Sequence, residues 1–245
     1  MLLLSVMVLP LLAQNRAKQV IAHRGYWKTE GSAQNSLSSL RNAKKLGIYG
    51  SEFDVHITRD GKAVVFHDNS VDGIRIEDAN YADISDKLLA NGEHIPLLED
   101  YLAEAKKLSK MKLILEIKSH KQKQDEVRCV DEVLRLVKKA GLKSRTEYIA
   151  FSRNVCDYLV AHAPKAKVSY LKGDLTPQQV KQAGYSGIDY QDKVFRAHPT
   201  WIAEAKQLGL ITNVWTVDKP NEIKQFFDAG VGYVTTNEPA IAKDL

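Results

Sequence analysis

Cysteine is nearly absent from this chain, which has only Cys129 and Cys156. No CxxC pair and no Cys/His zinc spacing can be built from two such distant residues, which excludes a zinc finger or a dithiol redox centre. Both fall in segments of helical pattern and read as buried free thiols, with a single disulfide after export as the alternative. No dense Lys/Arg run occurs. The net charge of +5 and pI near 9.0 come from scattered residues, Lys121/Lys123 and Lys138/Lys139 among them, which favours anionic ligands in general and argues against nucleic acid as a partner. No glycine-rich phosphate fingerprint follows the first apolar strand, which weighs against a doubly wound dinucleotide fold. There is no low-complexity linker inside the chain.

No apolar run is long enough for a membrane span either. Residues 1–13 are apolar and uncharged, but thirteen residues fall short of the ~20 that a span needs. The run reads as the h-region of a secretory signal, with cleavage after Ala13 and without the usual basic n-region. It predicts an exported protein, periplasmic or secreted, or a cytoplasmic one if the run is not a signal. No cysteine lies near it to carry a lipid, so no stable membrane anchor is expected. The remainder, residues 18–245, has the length and the 44% hydrophobic content of one globular domain.

The chain is organised around residues 49–68. Asp60-Gly61 reads as the two-residue turn of a β-hairpin between two β-rich runs. That turn sets Arg59 opposite Lys62, Ile57 opposite Val64, Val55 opposite Phe66 and Asp54 opposite His67. Opposed residues share a face, so one face reads Phe53, Val55, Ile57, Val64 and Phe66. The other carries Glu52, Asp54, His56, Thr58 and His67, with Ala63 and Val65 among them. A bulge would move His67 by one residue. Two carboxylates and a histidine thus converge on one patch, suited to a hard divalent cation and to proton transfer. A solvated outer face of the hairpin is the alternative.

Val20-Ile21-Ala22 reads as a buried strand ending in His23-Arg24-Gly25, and Ser36 as the cap of a helix through Leu46, closed by Gly47. Residues 69–95 are polar and weakly patterned, with a short helix expected at 83–90 and a lip over the site as the segment's role. From Pro96 the pattern becomes regular. Strands are expected at 112–118, 146–152, 167–171, 187–190, 211–217 and 232–235. Helices are expected at 97–109, 125–139, 154–162, 177–183, 200–208 and 220–229, with a short one after Pro239. With the hairpin's returning strand set aside, eight β/α units at this length predict a (β/α)8 barrel, with a doubly wound open sheet as the runner-up. In a barrel, functional groups belong at the C-terminal ends of strands. His23 and Arg24 fall there, as do Glu52 and Asp54, Glu116 and Lys118, and Trp215.

His23-Arg24-Gly25, Glu52-x-Asp54, Asp60-Gly61 with Val64-Val65-Phe66-His67-Asp68, and Glu116-x-Lys118 together resemble the glycerophosphodiester phosphodiesterase family. Ile95-Pro96-Leu97-Leu98-Glu99, Asn213-Val-Trp-Thr-Val217, and Ala229-Gly230 with Thr235-Thr236-Asn237-Glu238-Pro239 look like further segments of it. The resemblance runs from about Val20 to the C-terminus. It implies a (β/α)8 barrel, one divalent cation (Ca²⁺ or Mg²⁺), and hydrolysis of a small glycerophosphodiester to sn-glycerol 3-phosphate and an alcohol. Matched motif by motif, Glu52, Asp54 and Glu116 would hold the cation. His23 and His67 would be the acid–base pair, and Arg24 and Lys118 would meet the phosphate. Trp215, at a strand end, reads as a wall for substrate or as core. His56 has no counterpart in the family motifs, and His94, His120, His162 and His198 read as surface or structural.

Three departures stand out. Gln34-Asn35-Ser36 replaces the usual Glu-Asn-Thr. The terminal Thr-Asp appears as Thr236-Asn237, with the loss of a carboxylate. The stretch after His67 is short and lacks the usual Arg-Thr-Thr. Two other classes fit the same residues: another barrel phosphodiesterase, such as a lysophospholipase D or a phosphoinositide-cleaving lyase, and a non-catalytic glycerophosphodiester-binding protein.

Overall fold

A computed structural model describes residues 19–108 and 110–245. The apolar run at 1–13 and its expected cleavage point lie outside these residues. The elements, in order, are β1 (Val20–Ala22), α1 (Leu37–Lys45), β2 (Gly50–Ile57), β3 (Ala63–Val65), β4 (Ser70–Val71), β5 (Ile74–Arg75), α2 (Leu98–Lys107), β6 (Lys112–Ile117), α3 (Lys123–Ala140), β7 (Thr146–Ala150) and α4 (Arg153–His162). They continue with β8 (Val168–Tyr170), α5 (Pro177–Gln182), β9 (Gly187–Gln191), α6 (Asp192–Ala197), α7 (Trp201–Gln207), β10 (Ile211–Trp215), α8 (Pro220–Asp228), β11 (Tyr233–Thr236) and α9 (Pro239–Ala242). Strands β1, β2, β6, β7, β8, β9, β10 and β11 pair in parallel in that order, and β1 closes the ring by pairing with both β11 and β2. This is the (β/α)8 barrel the β/α count predicts, and the open sheet is set aside.

Period-2 alternation sends successive strand residues to opposite faces of the barrel wall. Phe53, Val55 and Ile57 of β2 and Leu113, Leu115 and Ile117 of β6 point outward, into the main core under the helices. Ile21, Ile114, Ile149 and Leu171 form a separate cluster that fills the barrel interior. Helix boundaries follow their local signals. Ser36 Oγ accepts a hydrogen bond from the Ser39 amide at 2.9 Å, and α3 ends at Gly141 in the left-handed region. Cys129 and Cys156 are buried free thiols. No helix among the described residues is long and apolar enough to cross a membrane.

The hairpin register differs from the expected one by one residue. The loop is three residues long, 59–61, with Gly61 at φ +80°. Thr58 closes it: the Thr58 amide donates to Lys62 O at 2.9 Å, its hydroxyl donates to Asp60 Oδ1 at 2.6 Å, and that hydroxyl accepts from the Lys62 amide at 2.9 Å. A three-residue loop with a left-handed glycine is the bulged alternative to a two-residue turn. Val55 therefore pairs with Val65 and Ile57 with Ala63, and Asp54 lies opposite Phe66, whose amide donates to Asp54 O at 3.1 Å. Ala63 and Val65 join the main core. Val64 and Phe66 turn to the other face and pack with Val71, Ile76, Ile84 and Ile95.

Residues 69–95 build that second small core. They do so with the β4–β5 ribbon and two single 3-10 turns, and no helix forms at 83–90. None of them lines the barrel-mouth cavity, so the lip expected of this segment is not formed. The short helix α6 falls in the 191–199 stretch, for which no element was expected.

Candidate active site

The cavity at the C-terminal mouth of the barrel holds about 280 Å³. Its lining divides into two halves. One is ionic, made by His23, Arg24, Glu52, Asp54, His67, Glu116 and Lys118; the other is largely apolar, with Ile149, Phe151, Leu171 and Trp215. All eight residues singled out from the sequence therefore meet in one cavity.

The His-Arg-Gly turn leaves β1 in the left-handed region at two successive residues, Arg24 (φ +56°) and Gly25 (φ +78°). A Cβ at Gly25 would sit 2.3 Å from Ser39 Oγ, so only glycine lets the chain turn against α1. The turn aims the Arg24 amide at Glu52 Oε2, 2.8 Å away, and the Arg24 guanidinium at Gln34 Oε1 and toward Asp54 Oδ2. Gln34 thus accepts from Arg24 as a neutral amide. Asn35 clamps Asp54 twice: its Nδ2 donates to Asp54 Oδ2 at 2.9 Å, and its Oδ1 accepts from the Asp54 amide at 3.1 Å.

Glu52, Asp54 and Glu116 offer oxygens that all lie within 4.8 Å of one another. Lys118 Nζ reaches Asp54 Oδ1 at 3.1 Å and Glu116 Oε1 at 2.8 Å. Three carboxylates face two cations, and Glu52 Oε1 is buried with no hydrogen-bond partner. A buried carboxylate oxygen is costly to leave unpaired, and a hard divalent cation is the partner this donor set fits. Electrostatics point the same way. Burial and the neighbouring Asp54 charge raise Glu52 well above the usual carboxylate range and push Glu116 up to about 7. Burial would also raise Asp54, but Lys118, His67, Asn35 and Arg24 outweigh it and hold Asp54 low.

The sign of the resulting pH dependence follows. Between about pH 4.5 and 7 the folded, cation-free protein retains protons on Glu116 and Glu52 that the unfolded chain has released, so the contribution of these two groups to stability falls as pH rises through that window. Glu116 alone contributes about 3 kcal/mol, or several degrees in Tm. The lowered Asp54 acts in the opposite direction, in the acid range below this window. The buried histidines act the other way, since burial lowers His23 and His56 to about 4 and their contribution to stability rises between about pH 4 and 6.5, so in chelator the Tm of the wild type is expected to fall more, or rise less, from pH 5.5 to pH 8 than that of Glu116→Gln. Added Ca²⁺ or Mg²⁺ is expected to raise Tm more at pH 8. A cation effect that is absent, or larger at pH 5.5, would contradict the cluster's proposed affinity.

His23 and His67 both line the cavity. His23 Nδ1 is 2.9 Å from Asn237 Oδ1, and burial followed by the Arg24 charge lowers its pKa to about 4. β3 ends at Val65, and the chain leaves the strand there, so His67 enters the cavity without lying opposite Asp54. Its Nδ1 meets Asp68 Oδ1 at 2.6 Å. Burial lowers its pKa too, against the raising effect of Asp54. His56 lies behind it, with Nε2 3.3 Å from His67 O. His120 Nε2 accepts from the Ile57 amide at 3.2 Å, a structural role.

Trp215 is half-buried on the cavity wall. Its Nε1 donates to Asp189 O at 2.8 Å, and its ring stands edge-on to Phe151 at 5.6 Å. The sequence reading passed over Asp189. It lines the same cavity with Oδ1 buried and unpartnered, and burial pushes its pKa up to about 7. The strand alternation that singled out Glu116 would have found it, since Asp189 falls on the inward face of β9.

Residues 23–241 match the model of the glycerophosphoryl diester phosphodiesterase family. A glycerophosphodiester phosphodiesterase from Parabacteroides distasonis is 45% identical and superposes with a TM-score of 0.92, covering 93% of this chain and 96% of that one. The glycerophosphodiester phosphodiesterase of Caldanaerobacter subterraneus is 25% identical over 245 residues, 90% of this chain and 94% of the relative. An Oleispira antarctica phosphodiesterase, solved in complex with the product sn-glycerol-3-phosphate, shares the fold, with a TM-score of 0.79 at 21% identity over 92% of this chain and 95% of that one.

Proposed function

The chain belongs to the glycerophosphoryl diester phosphodiesterase family and is an enzyme of that class, and we propose that it cleaves a small glycerophosphodiester to sn-glycerol 3-phosphate and an alcohol with the help of a divalent cation and two histidines. The observation that carries this reading is the meeting of the three-carboxylate cluster, two cations and two histidines in one cavity. Glu52, Asp54 and Glu116 would hold the cation, Ca²⁺ or Mg²⁺. Bound there, it would offset phosphate charge and acidify a nearby hydroxyl.

The chain's own groups account for the rest. A phosphodiester is an anion that repels nucleophiles. Arg24 and Lys118 face the cavity as fixed positive charges, and in a partly water-excluded site they stabilise the charge that builds up at phosphorus. Burial works against the Lys118 charge, but Asp54 and Glu116 outweigh it and keep Lys118 firmly protonated. One histidine takes the proton of the attacking hydroxyl, and the other supplies a proton to the departing alcohol. The apolar half, with Phe151 and Trp215, packs against the organic part of the substrate.

The test is release of glycerol 3-phosphate from glycerophosphocholine, glycerophosphoethanolamine and glycerophosphoinositol, with and without chelator. Cation-dependent release from at least one is expected; stoichiometric binding without release of any product would make the protein a binding protein instead. His67→Ala is expected to lower kcat roughly 10²–10⁴-fold and to remove one limb of a bell-shaped pH–rate profile. A variant within twofold of wild type would show that His67 has no part in proton transfer.

A further inference from the structure

We propose that Asn237 is a positioning residue that locks His23 in the tautomer protonated at Nδ1, with the lone pair of Nε2 left to accept a proton. This rests on the phosphodiesterase reading above.

The amide of Asn237 can point only one way. Its Nδ2 donates to Asp218 Oδ2 at 2.9 Å, and an ionised carboxylate accepts hydrogen bonds but cannot donate them. Its Oδ1 is therefore the atom turned toward His23 Nδ1, 2.9 Å away. Trp27 agrees, because its indole N–H, a donor only, reaches the same Oδ1 at 3.1 Å. Asp218 is fixed in turn by the Asn237 amide N–H at 2.8 Å and the Thr236 hydroxyl at 3.1 Å. A flipped amide would set NH₂ against the indole N–H and oxygen against carboxylate. With Oδ1 as acceptor, His23 Nδ1 must carry the hydrogen, and the neutral ring then has its lone pair on Nε2.

The partner also decides the charge. Asn237 is neutral, and the carboxylate behind it, Asp218, stands one hydrogen bond further away. The other charged or titratable groups acting on His23 are Arg24, Asp54 and His67. Arg24 is the strongest of these and disfavours an imidazolium. His67 instead holds a carboxylate, Asp68, on its Nδ1, an arrangement that supports a bound proton. In the first step the proton of the attacking hydroxyl moves to His23 Nε2 as the new O–P bond forms, and His67 gives its proton to the alkoxide as the old bond breaks. Both transfers reverse in the step that restores the enzyme.

Two measurements test this. The first is ¹⁵N–¹H NMR of the imidazoles in chelator-treated protein, with His23 assigned through His23→Gln. The expected result is a neutral His23 protonated at Nδ1; protonation at Nε2 would overturn the proposal. The second compares Asn237→Ala with the exchanged pair Asn237→Asp/Asp218→Asn, which keeps a donor against the carboxylate. Asn237→Ala is expected to lose roughly 10- to 100-fold in kcat with little change in KM. The exchanged pair is expected to retain a wild-type melting temperature and to move the acid limb of kcat/KM up by about one pH unit or more. Folded variants with wild-type kcat and an unmoved limb would overturn the proposal. If the wild-type protein releases no product from any diester, the functional reading fails, while the NMR measurement still decides the tautomer.

Discussion

Glu52→Gln is expected to bring cation-dependent turnover down by about 10³-fold or more, to the level seen in excess chelator. Glu52 is the member of the carboxylate cluster with the least protein support. Its Oε2 accepts one backbone hydrogen bond, from Arg24, and its Oε1 is buried without any. Glutamine has the same shape and its carbonyl can keep the Arg24 bond, so the His-Arg-Gly turn should stand. What changes is the other arm, which becomes a donor where a hard cation needs an acceptor. The loss should therefore appear as weakened Ca²⁺ or Mg²⁺ binding by calorimetry along with the lost rate. Stability should move in the opposite direction. Burial and the Asp54 and Glu116 charges already penalise ionised Glu52, so in chelator at pH 8 the variant should melt at or above the wild-type temperature. Full activity of Glu52→Gln, or wild-type activity in chelator after dialysis, would remove the cation from the reaction.

Much of this cavity is legible in the sequence because a parallel barrel converts strand position into place. Glu52, Asp54, Glu116 and Lys118 alternate with apolar residues that enter the outer core, so period 2 alone sets them inward. His23 and Arg24 follow a strand only three residues long, and the mouth is the only place they can reach. His67 is a harder case. The Asp60-Gly61 dipeptide predicts a two-residue turn, and the side-chain bonds of Thr58 and Asp60 that make it three have no periodic signature. The histidine still arrives, because β3 stops at Val65 and the chain turns inward. The network behind His23 was not legible. Asn237 is 214 residues from His23 in sequence, and a contact of that separation leaves no local pattern. From the sequence, Asn237 was visible only as a departure from a motif and Asp218 not at all. The bond between Asn237 and Asp218 appears only once both are placed in space. Residues 69–95 are illegible for a related reason: their order comes from packing on Val64 and Phe66, which a two-residue turn places on the opposite face.

The largest effect of all is expected from the substrate rather than from the enzyme. Glycerophosphocholine with its 2-hydroxyl replaced by hydrogen should bind with a KI close to the KM of the parent compound and should not turn over. The hypothesis is that the glycerol 2-hydroxyl itself attacks phosphorus, expelling the alcohol and leaving a cyclic phosphate that water opens in a second step. The paired histidines motivate it, since a base and an acid in one cavity suit a reaction that forms and then opens a ring by the same two transfers in reverse. The energetics favour it as well. An attacking group tethered to the phosphate has already met most of the entropic cost of approach, worth about 7–11 kcal/mol in well-oriented intramolecular reactions. A free water would have to be immobilised and oriented beside the substrate. Phosphorus-31 NMR during turnover should reveal the cyclic ester as a transient ahead of glycerol 3-phosphate. Hydrolysis of the deoxy compound at a rate comparable to the parent would rule out internal attack. Water would then be the nucleophile from the start, and His23 would take its proton from that water.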